Sequence, residues 1–151
     1  MTRPFSLQPL LELMQTRSDD ATRRLGQLIA AEQSAKSRLE LLEQYRDEYS
    51  QRFRESSQTG MTPLAWRNFQ DFIGRIDEAI EQQKQLVTNS ARNTAAGQNH
   101  WREQNKRLKA IDTLSNRHES SERYREGKLD QKLHDEFATR KRNGGFDEQE
   151  S

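Results

Sequence analysis

The feature that most constrains the fold is an apolar heptad repeat in the first third of the chain. One frame alternates steps of four and three residues, and eleven of its fourteen slots are apolar. The slots are Leu7, Leu11, Met14, Ser18, Ala21, Leu25, Leu28, Glu32, Ala35, Leu39, Leu42, Arg46, Tyr49 and Phe53. Such steps return side chains to one helix face and are typical of a coiled-coil seam. Because Ser6 is a good N-cap and no proline lies between Pro9 and Pro63, the sequence predicts one helix over about 6–56.

A second frame of the same kind follows a predicted turn at 57–63. Gly60 can take a positive φ, Thr62 is a good N-cap, and Pro63 suits the first helical position. The second frame occupies Trp66, Phe69, Ile73, Ile76, Ile80, Gln83, Val87, Ser90, Thr94, Gly97, Trp101, Gln104, Leu108 and Ile111. We therefore predict a second helix over about 64–142, stopped by Asn143-Gly144-Gly145.

The two frames match each other if the chain folds back at residues 59 and 60. Tyr49 then faces Phe69, Leu39 faces Ile80, and the bulky Trp101 lies opposite Ser18 and near Ala21. A short connection between long helices makes them antiparallel neighbours. The predicted fold is all-α: a long antiparallel two-helix coiled coil, or helical hairpin, with a C-terminal helix overhang beyond Ile111. We expect one coiled-coil domain over 1–142 and a disordered acidic tail over 143–151.

Composition excludes most other architectures. Hydrophobic residues make up 30% of the chain and charged residues 32%, which is too little apolar material for a multilayer core. The chain has no cysteine and a net charge of +1, so neither disulfides nor a strong basic field is expected. No apolar run approaches the length of a membrane span, and the N-terminus lacks the apolar core of a cleaved signal. We expect no membrane insertion.

No catalytic constellation is visible, so we expect no enzyme activity, no cofactor and no metal site. His100, His118 and His134 are scattered, and none has a second histidine or a carboxylate at convincing metal-ligand spacing. Basic residues outnumber acidic ones in 101–142, but the two signs are interleaved and no stacking platform accompanies them. A solvated helix face therefore explains this stretch better than nucleic-acid binding. Function is expected to lie in surfaces.

Two apolar surfaces remain outside the predicted seam. The first is a row beside the second frame, Phe72, Ala79 and Leu86, with Ile76 at its edge. It fits a partner-binding surface, a wide seam or self-association. The second, in the overhang, is Leu129, Leu133 and Phe137, which share one helix face and have no partner within the hairpin. A marginal, frayed helix is the alternative there, since unsupported helices are weak in water.

A set of short segments in a fixed order adds a family resemblance. The segments are Asp19-Asp20-Ala21, Leu25-Gly26, Tyr45-Arg46-Asp47-Glu48-Tyr49, Trp66, Phe69-Gln70-Asp71-Phe72-Ile73, Ala79-Ile80-Glu81-Gln82, Trp101-Arg102-Glu103, Lys106-Arg107-Leu108, Asp130-Gln131-Lys132 and Asp135-Glu136-Phe137. Together they span nearly the whole chain, from Leu7 to about Arg140. In this order and spacing the chain resembles the FliJ family of flagellar type III export proteins.

The resemblance implies a place in the flagellar export apparatus. Members of this family are antiparallel coiled coils similar to the rotor stalk of rotary ATPases. They bind the hexameric export ATPase, contact the cytoplasmic ring of the export gate protein FlhA, and assist export chaperones. Their known roles imply a cytoplasmic protein, peripherally associated with the inner membrane at the flagellar base and required for motility.

The resemblance also assigns residues. The gate-contacting positions of the family correspond to Phe72, Ile76, Ala79 and Gln83, where Gln83 replaces the histidine expected in well-known members. By analogy with rotary stalks, the end with both termini enters the ATPase ring, so the overhang stripe becomes the predicted ATPase-binding surface. The competing hypothesis is a stand-alone coiled-coil adaptor or a homodimeric structural protein. In the homodimer, the row of Phe72, Ala79 and Leu86 would be the interface between the two copies.

Overall fold

The computed structural model describes residues 6–147, and side chains over 6–143. It contains two helices, α1 over Gln8–Gln58 and α2 over Pro63–Asp147, and the described residues include no strand. The prediction of an all-α fold is confirmed. The two long helices pack against each other, as expected of a helical hairpin. The contacts cluster into two compact units, one over Thr16–Asn105 and one that holds the described residues 6–15 and 106–147.

The helix ends form where local chemistry predicts them. The Gln8 amide donates to Ser6 Oγ at 3.2 Å, and the Ala65 amide donates to Thr62 Oγ1 at 3.2 Å. Both hydroxyls satisfy amides that a first helical turn leaves without an intrahelical acceptor. Gly60 turns the chain with a φ of 94°, which a side chain would strain. The predicted N-caps and the predicted turn are confirmed.

In the 16–105 unit, burial follows the predicted seam closely. Every seam slot from Ser18 to Phe53 on α1, and from Phe69 to Gln104 on α2, is buried or half-buried. The core is thin: its buried hydrophobic residues are Ala21, Ala35, Ile76 and Ile80. Three buried polar residues, Ser18, Thr94 and Gln104, share the same stripe. A two-helix contact therefore provides a narrow apolar seam and leaves most side chains exposed.

Polar contacts across the seam set the antiparallel register of this unit. Arg46 forms an ion pair with Asp77, and its Nη2 also donates to Asp77 Oδ2 at 3.4 Å. Gln83 Nε2 donates to the Ala35 carbonyl at 3.0 Å. Trp101 Nε1 donates to Thr22 Oγ1 at 2.8 Å. A slipped register would leave these groups without partners, so polar seam residues specify one alignment at some cost in packing.

The other unit repeats the seam spacing on short stretches of both helices. Leu7, just before α1, and Leu11 and Met14 on α1 are half-buried, as are Leu108 and Ile111 on α2. Burial on α2 continues past the predicted end of the seam, through Ser115 and His118 to Glu122. From Arg123 to Asn143 every described side chain is exposed. The apolar overhang residues therefore have no packing partner among the residues that the structure describes.

The boundaries differ from the predictions at two places. Trp66 is 51% exposed, and the half-buried position of that turn is Ala65. Near the hairpin turn the half-buried residue of α2 is therefore Ala65 and not Trp66, although α1 continues to Gln58. The α2 helix also runs through Gly144-Gly145 to Asp147, beyond its predicted end near Arg142. The predicted disordered tail over 143–151 thus overlaps the helix, and its last four residues lie outside the described part of the chain.

Because the core is one side chain thick, its isoleucines should dominate stability. Replacing Ile80, which is buried, by alanine should lower the free energy of unfolding by about 2 kcal/mol or more. The matched change at the exposed Leu86 should alter it by less than about 0.5 kcal/mol. Urea unfolding followed by circular dichroism measures both. Equal losses at the two positions would show that the seam has been misassigned.

Candidate partner-binding surfaces

Phe72 joins an aromatic cluster of the seam through a ring contact with Tyr49. The Tyr49 ring lies 4.3 Å from the Phe72 ring and 5.2 Å from the Phe69 ring, between ring centroids. Phe69 in turn contacts Phe53 edge-on at 5.4 Å. Phe72 remains 42% exposed. The seam thus supports this phenylalanine from beneath while one side of its ring faces solvent, which is the arrangement expected of a binding residue held in place before its partner arrives.

The other residues of the predicted gate-binding set differ in exposure. Ala79 is half-buried, whereas Ile76 is a core residue with 9% exposure. Gln83 is half-buried and donates its amide to the Ala35 carbonyl. The structure thus brings the four residues to one stretch of α2 but presents mainly Phe72 to solvent. The role of the set in gate binding stays a prediction.

Four exposed apolar residues of α1, Leu13, Ile29, Leu41 and Tyr45, were assigned to no surface from the sequence, and the two most exposed are Leu41 and Tyr45. Leu41 and Tyr45 are 54% and 56% exposed, and Tyr45 lies one helical turn before Tyr49. Counting only seam slots missed them, because both lie outside the heptad positions. A search for large apolar side chains outside the heptad positions of α1 would have found them.

The ion pair next to this cluster is electrostatically stable. The hydrogen bond that Arg46 donates to Asp77, followed by the charge of Asp77, raises the pKa of the Arg46 guanidinium above its ordinary value. Arg46 therefore stays charged at any physiological pH. It lies one turn before Tyr49 on α1, so the pair fixes the register from which the aromatic contacts follow.

The second surface lies on α2 in the other unit. Leu129, Leu133 and Phe137 are 59–65% exposed and recur every four residues on one face of the helix. Tyr124 is equally exposed, with Lys128 Nζ 5.3 Å from its ring centroid. This stretch is an amphipathic helix without a counterpart among the described residues. A row of exposed apolar side chains on one helix face is typical of a surface that binds a partner.

The histidines show no arrangement for metal chemistry. His118 Nε2 lies 3.9 Å from Glu122 Oε1, one turn along the same helix. Within residues 6–147, no group of three or more histidine, cysteine, aspartate or glutamate side chains could hold a metal ion. In the same part of the chain, neither helix carries a stretch apolar and long enough to traverse a bilayer.

Comparison with known proteins decides the family. The family model described as "Flagellar FliJ protein" matches residues 3–144. The chain belongs to this FliJ family. It is 34% identical over 140 residues to the flagellar FliJ protein of Escherichia coli (strain K12), which covers 93% of this chain and 95% of that protein. It is 33% identical to the flagellar FliJ protein of Salmonella typhi, with the same coverage.

Membership in the FliJ family makes the chain a component of flagellar protein export. The family match extends over residues of both compact units, so it includes the Phe72 region and the Leu129–Phe137 stripe. The resemblance noted from short segments is therefore confirmed over almost the entire sequence. The roles of individual surfaces in this FliJ-family chain are a separate question.

The aromatic cluster makes a prediction about stability. Phe72→Ala should lower the free energy of unfolding by about 1 kcal/mol, since it removes one ring contact from a side chain already 42% exposed. Phe69→Ala should cost about 3 kcal/mol or more, because Phe69 is a seam residue that contacts two rings. Thermal unfolding by circular dichroism compares them. A larger loss for Phe72 than for Phe69 would identify Phe72 as core.

Proposed function

We propose that this FliJ-family chain is a non-catalytic coupling subunit of the flagellar export apparatus. It binds the export ATPase hexamer through one surface and the cytoplasmic ring of the export gate protein through another. The observation that carries the proposal is the uncovered apolar stripe Leu129, Leu133 and Phe137 on a helix whose described side chains from Arg123 onward are all exposed. A helix of this kind lacks tertiary support and gains it when a partner covers the stripe.

The ATPase surface follows from the composition of that stretch. Its apolar face can insert into a ring of subunits, while Lys128, Lys132 and Arg140 flank it as solvated or ion-pairing groups. Burying three such side chains provides about 1.5–3 kcal/mol each before ordering costs. That free energy changes the ATPase only if its subunit conformations bind the helix with different affinity. The helix then favours one conformation in one subunit at a time, as an asymmetric stalk does.

The gate surface is centred on Phe72. Tyr49 contacts its ring and is itself in contact with Phe69, so the ordering cost on binding is small. Ala79 and Leu86 continue the row along α2. Ile76 and Gln83 act through the seam in this proposal, because Ile76 is buried and Gln83 bonds to the Ala35 carbonyl. Phe72 is therefore the residue of this set that contacts the gate directly.

The same surfaces account for the remaining roles. Transient capture of empty export chaperones needs exposed apolar residues outside the seam, and Leu41 and Tyr45 supply them. In this proposal the protein works in the cytoplasm at the flagellar base. It stays attached to the inner membrane through its partners, and motility depends on it.

The stripe predicts a defined loss of ATPase stimulation. The triple variant Leu129→Ser, Leu133→Ser, Phe137→Ser should abolish stimulation of ATP hydrolysis by the cognate export ATPase, because the apolar face is removed while the helix keeps its length. Hydrolysis rates and the fraction of hexamer, measured with and without the protein, report the effect.

A control on the opposite helix face isolates the stripe. Gln131→Ser, Asp135→Ser and Thr139→Ser have the same spacing but lie about 200° round the helix. This variant should stimulate the ATPase like the original chain. Full stimulation by the stripe variant, or equal loss in both, would exclude the stripe as the ATPase-binding surface.

The gate surface predicts a separate phenotype. Phe72→Ala should weaken binding to the isolated cytoplasmic domain of the gate protein by about tenfold or more, as loss of a central aromatic anchor does. It should leave ATPase stimulation unchanged, and cells carrying it should swim poorly. Leu64→Ala, at an exposed position next to the turn, is the control and should bind normally. Unchanged gate binding by Phe72→Ala would favour a stand-alone adaptor instead.

A further inference from the structure

A groove runs between the helices of the 16–105 unit, away from both surfaces described above. One cavity of about 370 Å³ is lined by Arg17, Asp20, Ala21, Arg24, His100 and Gln104. A second, of about 260 Å³, shares Ala21, Arg24 and His100 with the first and adds Leu28, Ala96 and Gly97. Because three lining residues are common, the two cavities form one continuous groove.

The floor of the groove is apolar because the seam residues there are small. Ala21 is 4% exposed and presents only a methyl group. Opposite it, Gly97 has no side chain, and Leu28 occupies the space: a Cβ at Gly97 would lie 2.6 Å from Leu28 Cδ1. The side chain of Leu28 thus packs against Gly97, and the small side chains of Ala21 and Ala96 leave a shallow apolar trough beside that contact.

At one end of the groove, the side-chain oxygen of a buried glutamine lacks a hydrogen-bond donor. Gln104 is 7% exposed, and its Oε1 accepts no hydrogen bond in the described part of the chain. An acceptor buried in this way costs about 1–3 kcal/mol. Rotation of the amide toward the groove relieves that cost if a molecule bound there offers an N–H or O–H donor. Gln104 is thus a lining residue whose hydrogen bonding improves on binding.

The rim of the groove is basic. Arg17 and Arg24 lie on α1 and His100 lies on α2. Asp20 is the acidic residue of the lining, and it is partly neutralised by Arg23, whose Nη1 is 3.6 Å from Asp20 Oδ1. Arg17 and Arg24 are seven residues apart, about 10.5 Å along the helix axis. Two carboxylates spaced seven residues apart on a partner helix match that separation.

We propose that this groove binds an acidic amphipathic helix from a partner protein. The apolar face of that helix packs on Ala21, Leu28 and Gly97, its carboxylates pair with Arg17 and Arg24, and a polar hydrogen of its backbone or side chains bonds to Gln104. A helix laid in a groove between two others is a common recognition mode, and it completes a local three-helix packing. The proposal is independent of the ATPase and gate surfaces.

The test is a binding measurement on the full chain with a synthetic probe. The probe is a fluorescent, acetylated helical peptide with alanine and leucine on one face and glutamates seven residues apart. Its matched control has glutamine in place of each glutamate. Fluorescence anisotropy should show binding of the glutamate peptide and at least about tenfold weaker binding of the glutamine peptide, since the loss of two ion pairs removes most of the charge complementarity.

Three variants assign the binding to the groove. Arg24→Glu should weaken binding of the glutamate peptide by about tenfold without changing the melting temperature, because Arg24 is exposed. Arg92→Glu makes the same charge change at an exposed position that lines neither cavity, and should leave binding unchanged. Gln104→Leu should raise the melting temperature, because it removes the unpaired acceptor, and should still weaken binding several-fold.

Each opposite result overturns the proposal. Unchanged binding by both Arg24→Glu and Gln104→Leu would place the peptide elsewhere. A stability gain for Gln104→Leu without loss of affinity would make Gln104 a structural residue only. Full competition by millimolar inorganic phosphate would show a simple anion site instead of a helix groove. Equal losses for Arg24→Glu and Arg92→Glu would reduce the effect to net charge.

Discussion

The structure depends on one thin contact, the seam along which α1 and α2 pack. Each turn contributes a single layer of side chains, and the buried hydrophobic residues described are Ala21, Ala35, Ile76 and Ile80. Because so little apolar surface is buried, the register between α1 and α2 depends on directional polar contacts. The Arg46–Asp77 pair and the bond from Gln83 to the Ala35 carbonyl supply them. They penalise slipped alignments that a purely apolar seam would tolerate.

The same thinness explains why the proposed binding residues lie beside the seam. A two-helix contact buries one narrow stripe, so exposed apolar side chains remain on its flanks. Phe72 shows the division clearly, because Tyr49 covers one side of its ring while the rest faces solvent. Ile76, one turn further along α2, is buried. Where the seam residues become small, around Ala21 and Gly97, the flanks open into a groove instead. A FliJ-family chain can thus offer several partners separate surfaces on one simple scaffold.

Periodicity predicted most of the fold and part of the surfaces. The heptad frame located the buried and half-buried positions from Leu7 to Phe53, because a repeat of that length places one continuous stripe on the helix. It missed the exposure of Trp66, where the half-buried residue is Ala65, and the continuation of α2 to Asp147. It could not find the contact between Tyr49 and Phe72 or the unpaired Gln104, since both depend on side-chain rotamers across two helices. Spacing alone predicted the exposed stripe of Leu129, Leu133 and Phe137. It does not identify the partner that would bind there.

The central claim is that the helix beyond Glu122 is completed by a partner. Hydrogen–deuterium exchange of this chain, alone and with the cognate export ATPase hexamer, tests it most directly. Alone, amides of 123–143 should exchange quickly, because every side chain of that stretch is exposed. With the hexamer, the same amides should become strongly protected while those of the Ile76–Ile80 seam change little. Fast exchange of 123–143 in the presence of bound ATPase would contradict the account and move the ATPase-binding surface elsewhere on the chain.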